Sequence, residues 1–196
     1  MTFDAAFARF PELRTERLTL RAPRPEDAEA IFALKSDPEV TEPYGAEPHT
    51  SLDRSRTWVR DRIADYARRD GLLWVVALRD RDVGIGSCCF WHFEPGDRTA
   101  ELGYELARAY WGRGFAGEAV AAVVRYGFTE MELHRIEACP LARNAPSHRL
   151  LLRLGFVLEG TLRDRVRRAD GFEDQAYYGL LRDDWRDARS GPQRER

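Results

Sequence analysis

The first half of the chain changes from two-residue periodicity to helical periodicity and back. Residues 17–22 alternate like a strand, and residues 23–37 place apolar side chains three and four positions apart, as on one face of a helix. Residues 52–69 repeat the helical pattern. The apolar runs 72–80 and 82–93 are separated by a very short polar stretch, so together they predict a hairpin.

The second half of the chain predicts a strand–helix–strand crossover. Residues 99–107 and 135–139 are strand-like, and the alanine- and valine-rich stretch 115–131 between them predicts a buried helix. A further helix begins at Asn144, a good N-cap residue, and two strands joined at residues 169–171 follow it. The predicted order is β-α-α-β-β-β-α-β-α-β-β, which is an α/β (α+β) arrangement.

Length and charge limit the class of protein. The chain has 196 residues, enough for one domain, which we expect over residues 15–186 after an N-terminal extension (1–14) and before a flexible C-terminal tail (187–196). No apolar run reaches the length of a membrane span, and the first residues do not resemble a signal peptide, so we expect a cytoplasmic protein. The net charge of −2 provides no basic field for nucleic acid.

The cysteines and histidines do not indicate a metal site. Cys88, Cys89 and Cys139 are too few, and odd in number, for a disulfide framework. Cys88 and Cys89 are adjacent in a predicted strand, so their side chains point to opposite faces, and we expect buried, inert thiols. The four histidines lack the spacing of metal ligands.

A glycine-rich stretch raises a question of ligand chemistry. Residues Gly112 to Gly117 read G-x-G-x-x-G, the dinucleotide-binding fingerprint, and Glu137 lies about where that fingerprint needs its acid. Antiparallel strands precede the loop and no further βαβ units follow, so the topology disfavours a dinucleotide-binding sheet. The glycines and the helix that begins near Phe115 still predict an anion site, and a tight turn that binds nothing remains equally open.

Several motifs, in order along the chain, resemble the GNAT superfamily of N-acetyltransferases. They are ELGYEL, YWGRGFAGEA, HRIEACPLARNAPSHRLLLRLGF, GTLRDRV and YYGLLRDDW, spread over residues 15–185. Within the superfamily they are most similar to the Rim-type ribosomal-protein N-terminal acetyltransferases. The resemblance implies a mixed, mostly antiparallel sheet of about seven strands, splayed at a central parallel pair, with about four helices. It also implies acetyl transfer from acetyl-CoA to a primary amine by direct attack in a ternary complex.

The resemblance also implies where acetyl-CoA binds. The pyrophosphate would lie on backbone amides of the glycine loop, in which Trp111 stands where the family consensus has Gln or Arg. The pantetheine arm would lie between the splayed strands and contact Asn144, although Asn144 also reads as a plain helix cap and Ser147 as a serine bonded to backbone. The implied cofactor-binding residues are Tyr104, Glu105, Leu106, Trp111, Gly112, Arg113, Gly114, Phe115, Ala116, Gly117, Asn144 and Ser147.

The catalytic residues implied by the resemblance are Glu101 and Ser147. Glu101 is the candidate general base, on a strand that borders the acceptor site in the family; a surface acid and a water relay are the alternatives. Val166 stands where some Rim-type enzymes carry an acid, which favours the relay. Ser147 is the candidate acid for the leaving thiolate.

The choice of acceptor depends on the cost of a neutral amine. An α-amine has a pKa of about 7.7–8.0 and lysine one of about 10.4, so neutralising them at pH 7 costs about 1.0–1.4 and about 4.6 kcal/mol, respectively. A weak base therefore favours a protein N-terminus or an amino-acid-like amine. A non-catalytic acyl-CoA-binding regulator on the same fold is the alternative function. An exposed hairpin edge would allow a homodimer.

Overall fold

Eight strands form one sheet in the computed structural model, which describes residues 3–168 and 171–189. The order across the sheet is β1-β2-β3-β4-β5-β6-β8-β7, and every neighbouring pair is antiparallel except β5 and β6. The strands are β1 (Leu13–Arg14), β2 (Leu18–Arg21), β3 (Leu72–Leu78), β4 (Gly84–Glu94), β5 (Thr99–Leu106), β6 (Arg135–Ala138), β7 (Val157–Arg168) and β8 (Gly171–Leu181).

Seven helices connect and cover the strands within the described ranges. None of them combines the length and the apolar character that crossing a bilayer requires. They are α1 (Phe3–Ala8), α2 (Ala28–Lys35), α3 (Pro38–Thr41), α4 (Leu52–Arg68), α5 (Phe115–Thr129), α6 (Ala145–Arg153) and α7 (Arg182–Arg189).

The central strands are buried because helices cover both faces of the sheet. Trp74 of β3 is fully buried and meets the ring of Tyr126 from α5 edge-on, with ring centroids 5.7 Å apart. A second cluster, formed by α2, α3 and α4, contains Ile31, Val40 and Val59. β3 therefore has no alternating pattern: it is apolar at nearly every position, as a strand covered on both faces must be.

The crossover and the mixed sheet confirm the predicted architecture, and the short elements add to it. β1 pairs with β2, and α1 packs on the core through Ala6, so residues 3–14 contribute to the same sheet and core. The sheet thus has one strand more than the seven expected, and α1, α3 and α7 add to the four helices. Residues 169–170 of the predicted hairpin join and residues 190–196 of the predicted tail lie outside the described residues.

Candidate active site

A cleft opens where the two parallel strands diverge. β5 pairs with β6 only over Thr99–Glu101, although β5 continues to Leu106. Beyond Glu101, β5 keeps its partner β4 while β6 follows β8, so one edge of β5 faces the gap. A cavity of about 740 Å³ lies here, lined among others by Glu101, Tyr104, Asn144 and Ser147. A single parallel pair with this opening is a splayed sheet, and it lacks the parallel crevice that a dinucleotide needs.

The glycine loop leads directly into α5. Gly112 and Gly114 have φ angles of +70° and +80°, in the left-handed region where glycine is favoured. Gly114 caps α5 by backbone alone, with no side-chain hydrogen bond. The first amides of any helix lack partners inside it, so the N–H groups after Gly114 are available to an anion.

Two side chains hold this loop against the sheet. Trp111 donates its indole N–H to the carbonyl oxygen of Leu106, the last residue of β5, at 2.6 Å. Arg17 donates to the carbonyl oxygen of Arg113 at 3.0 Å and is held in turn by Glu118, at 2.6 Å. Trp111, which stands where the GNAT consensus has Gln or Arg, thus ties the glycine loop to the end of β5.

The start of α6 brings its polar residues to the cleft. Asn144 Oδ1 accepts from the Ser147 amide at 3.2 Å, which confirms the N-cap, and Asn144 Nδ2 donates to the carbonyl oxygen of Pro43 at 3.0 Å. The Ser147 hydroxyl lies 2.6 Å from Tyr104 Oη. Its partner is therefore a side chain of β5 and not the backbone of its own helix.

The cavity floor carries two carboxylates on one face of β5. Glu101 and Glu105 point the same way, with Gly103 between them; a side chain at Gly103 would meet the sulfur of Cys89 at 2.9 Å. Glu101 is about one-fifth exposed and lies 2.9 Å from His92 Nδ1. Within the described residues, Glu101 therefore has a histidine partner and no Lys or Arg ion pair.

Glu105 is held in a buried network. Lys35 Nζ lies 2.8 Å from its Oε1, and Tyr44 and Ser87 donate hydroxyl hydrogen bonds at 2.6 and 2.9 Å. Lys35 also lies over the ring of Trp58 at 4.5 Å. Burial and the charge of Glu105 raise the pKa of Tyr44 well above its usual value, so Tyr44 remains a donor at neutral pH. Glu105 is therefore paired with the positive charge of Lys35, whereas the ion-pair partner of Glu101 is His92.

The predicted loop 41–51 contributes residues to the cavity wall, among them Tyr44 and His49. Glu42 accepts hydrogen bonds through its carbonyl oxygen from Arg143 and Arg168, at 3.4 and 3.5 Å. His49 is buried against Ser55, with Nδ1 2.8 Å from Oγ. Burial, with the positive charges of Lys35 and Arg54, lowers the pKa of His49.

The three cysteines remain protonated thiols. Cys88 lies in the core and Cys89 lines the cavity, so the two side chains point to opposite faces as predicted. Burial raises the pKa of Cys88 strongly and those of Cys89 and Cys139 to about 12. Among the described residues, no group of three or more metal-binding side chains comes together.

The cavity is lined by β5 and the start of α6, which the sequence predicts, and by a further wall that the sequence does not predict. The structure brings Glu101, Tyr104 and Ser147 to one cavity. Lys35 and Tyr44 form the wall that the sequence does not predict. Lys35 gave a signal, since it is the only lysine of the chain, but nothing in the sequence connects it to Glu105.

Comparisons with known proteins agree with this geometry. A sequence profile of the GNAT acetyltransferase domain matches residues 17–157. The chain is 38% identical over 173 residues to a Bacillus subtilis protein named as the uncharacterized N-acetyltransferase YoaA, covering 88% of this chain and 98% of that protein. It is 28% identical over 133 residues to the ribosomal-protein-serine acetyltransferase of Escherichia coli, covering 68% and 73%. A solved GNAT-family acetyltransferase from Bacillus anthracis superposes with a TM-score of 0.79 at 29% identity, covering 88% and 99%.

Proposed function

Because the chain belongs to the GNAT family and is an acetyl-CoA-dependent N-acetyltransferase, we propose that its acceptor is an α-amine: a protein N-terminus or an amino-acid-like small molecule. The observation that carries the proposal is the position of Glu101. Its carboxylate lines the cavity at the last residue pair before β5 and β6 diverge, and in the described part of the chain no Lys or Arg pairs with it. A carboxylate is a weak base, and it suits an amine that is already partly neutral at pH 7.

The cofactor site in this proposal follows the glycine loop and the free edge of β5. The backbone amides of 113–117 hold the pyrophosphate, and the edge Tyr104–Leu106 holds the pantetheine arm. Two observations support this assignment: the start of α5 has no side-chain cap, and β6 does not pair with β5 after Glu101. Asn144 lines the same cavity, and we assign its side-chain amide to bind the pantetheine arm.

Three protein groups at the cleft have distinct roles in this acetyl transfer. Bound acetyl-CoA supplies the acetyl thioester. Glu101 accepts the proton of the attacking amine, directly or through one water, with His92 beside it. The backbone N–H near Leu106 stabilises the oxyanion, and the Ser147 hydroxyl donates to the leaving sulfur.

The likeness to a ribosomal-protein acetyltransferase supports a protein acceptor. The E. coli relative is named for acetylating ribosomal-protein serine. Tyr44 and Glu47 of loop 41–51 line the cavity, and we assign the end of the acceptor peptide to this side. A small amino-acid-like amine would use the same floor.

Thiol release from acetyl-CoA, followed with DTNB, tests the proposal. The acceptors are a peptide with a free N-terminus, its N-acetylated form containing a lysine, and free amino acids. We expect turnover with the α-amines and a loss of about 10²-fold in kcat/KM for Glu101→Gln. The control Glu94→Gln changes an exposed carboxylate on β4. Equal rates for the lysine peptide, or full activity of Glu101→Gln, would refute the assignment.

The working form is proposed to be a cytoplasmic homodimer. β7 is an edge strand with every residue from Val157 to Arg165 exposed, including Leu158 and Leu162. Such an edge can pair with a second copy. The three unpaired cysteines are typical of a reducing compartment. Light scattering giving the mass of a monomer would remove the dimer from the proposal.

A further inference from the structure

Tyr104 and Ser147 form a contact that spans the cleft. Tyr104 lies on β5 and Ser147 in the first turn of α6, and their hydroxyl oxygens are 2.6 Å apart. The ring of Tyr104 packs against the main core, so its hydroxyl has a fixed position. The serine hydroxyl is therefore held from the sheet side, and Ser147 lines the cavity.

The direction of this hydrogen bond follows from the chemistry of the two groups. A phenol is a stronger acid than an aliphatic alcohol and therefore the better hydrogen-bond donor. Burial raises the pKa of Tyr104 to about 12, so its proton is present at neutral pH. The favoured arrangement has Tyr104 donating and Ser147 Oγ accepting, which leaves the serine proton free to point into the cleft.

We propose that Tyr104 is a positioning residue that fixes the Ser147 hydroxyl as a hydrogen-bond donor to the leaving sulfur. This inference rests on the proposed function. In the step concerned, the amine nitrogen forms a bond to the acetyl carbon, the carbon–sulfur bond breaks, and its electron pair goes to sulfur. The amine proton goes to Glu101 or water.

The pair stabilises a thiolate without giving up a proton. A thiol has a pKa of about 8.5, far below that of an aliphatic alcohol, so full proton transfer from Ser147 to the sulfur would run uphill. A hydrogen bond to the developing charge needs no such transfer. The thiolate leaves and takes its proton from water afterwards, and Ser147 and Tyr104 remain unchanged.

A double-mutant cycle tests the role, with kcat and the KM for acetyl-CoA measured at saturating acceptor. We expect Tyr104→Phe to lower kcat about tenfold, with the KM for acetyl-CoA changed less than about twofold. Ser147→Ala should lower kcat at least as much. The double variant should match Ser147→Ala, because Tyr104 acts only through the serine.

Tyr178→Phe is the matched control. Tyr178 is a buried tyrosine whose hydroxyl also bonds a side chain of α6, His148, at 2.7 Å. It should keep kcat within about twofold. An unchanged kcat for Tyr104→Phe, or a double variant about tenfold slower than Ser147→Ala, would overturn the inference. Failure of the wild-type enzyme to acetylate any amine would instead overturn the proposed function.

Discussion

Lys35 Nζ lies 2.8 Å from Glu105 Oε1, and the two side chains are only 8% and 7% exposed. The pair joins the last residue of α2 to β5, across 70 positions of sequence. It fixes one wall of the cavity. Because both charged groups are buried away from water, each charge is stabilised by the other.

Lys35→Met should therefore destabilise the fold strongly. The substitution leaves the Glu105 carboxylate buried without a cation, and we expect the free energy of unfolding to fall by about 3–5 kcal/mol. Urea denaturation at pH 7 measures it. Replacing Glu105 by Met as well should recover most of the loss.

The control for that substitution is Arg56→Met. Arg56 bonds Asp53 at 2.7 Å on the exposed side of α4, where an ion pair contributes little. We expect a change within about 0.5 kcal/mol. A Lys35→Met effect no larger than this would mean that the buried pair does not hold the wall.

Two substitutions separate the cap that Asn144 provides from the cofactor contact that we propose for it. Asn144→Asp keeps the oxygen that caps α6 and loses the amide that donates to Pro43. We expect Asn144→Ala to cost about 1 kcal/mol of stability through loss of the cap, and Asn144→Asp to cost less. Both should weaken CoA binding in calorimetry, since neither can donate to the pantetheine arm. CoA affinity retained by both would assign Asn144 to the cap alone.

Asp and Asn have nearly the same shape, so placing each of them in the glycine loop tests the effect of a negative charge there. A Cβ at Gly112 would meet nothing within 4 Å, and Asn and Asp both tolerate its positive φ. A carboxylate near the pyrophosphate should weaken CoA binding by about 2 kcal/mol, or about 30-fold, for Gly112→Asp relative to Gly112→Asn. Equal affinities of the two variants would mean that the phosphates bind elsewhere.

His49 should make the stability depend on pH. Its pKa is lowered from 6.5, so folding favours the neutral ring. The resulting stabilisation is present above pH 6.5 and is lost as the pH falls through the folded value. Urea midpoints between pH 7 and 5 should fall more steeply for the wild type than for His49→Asn. As a control, replacing the exposed His134 by Asn should not change how steeply the urea midpoint falls with pH. If the midpoint of His49→Asn falls as steeply as that of the wild type, the pH dependence does not come from His49.

The strands and the crossover could be predicted because their signals are local. The alternation in β2 and the apolar run of β3 each fill several periods of a strand. A single helix between two strands favours a parallel pair, and β5 and β6 are parallel. β1, with two residues, and α3, with four, are too short to show any period, so the sequence could not predict them.

The site was predictable only as far as local patterns reach. Alternation along β5 places Glu101 and Glu105 on one face and Tyr104 on the other, which a sequence can show. It cannot show that Glu105 meets Lys35 or that Tyr104 meets Ser147. Those contacts depend on how α2 and α6 pack on the sheet.

A crystal structure with bound acetyl-CoA tests the central claim most directly. We expect the pyrophosphate on the backbone amides of Arg113 to Gly117, and the thioester sulfur within hydrogen-bond reach of Ser147 in the gap between β5 and β6. A cofactor bound away from the start of α5, or a thioester on the far side of the sheet from Ser147, would contradict the account.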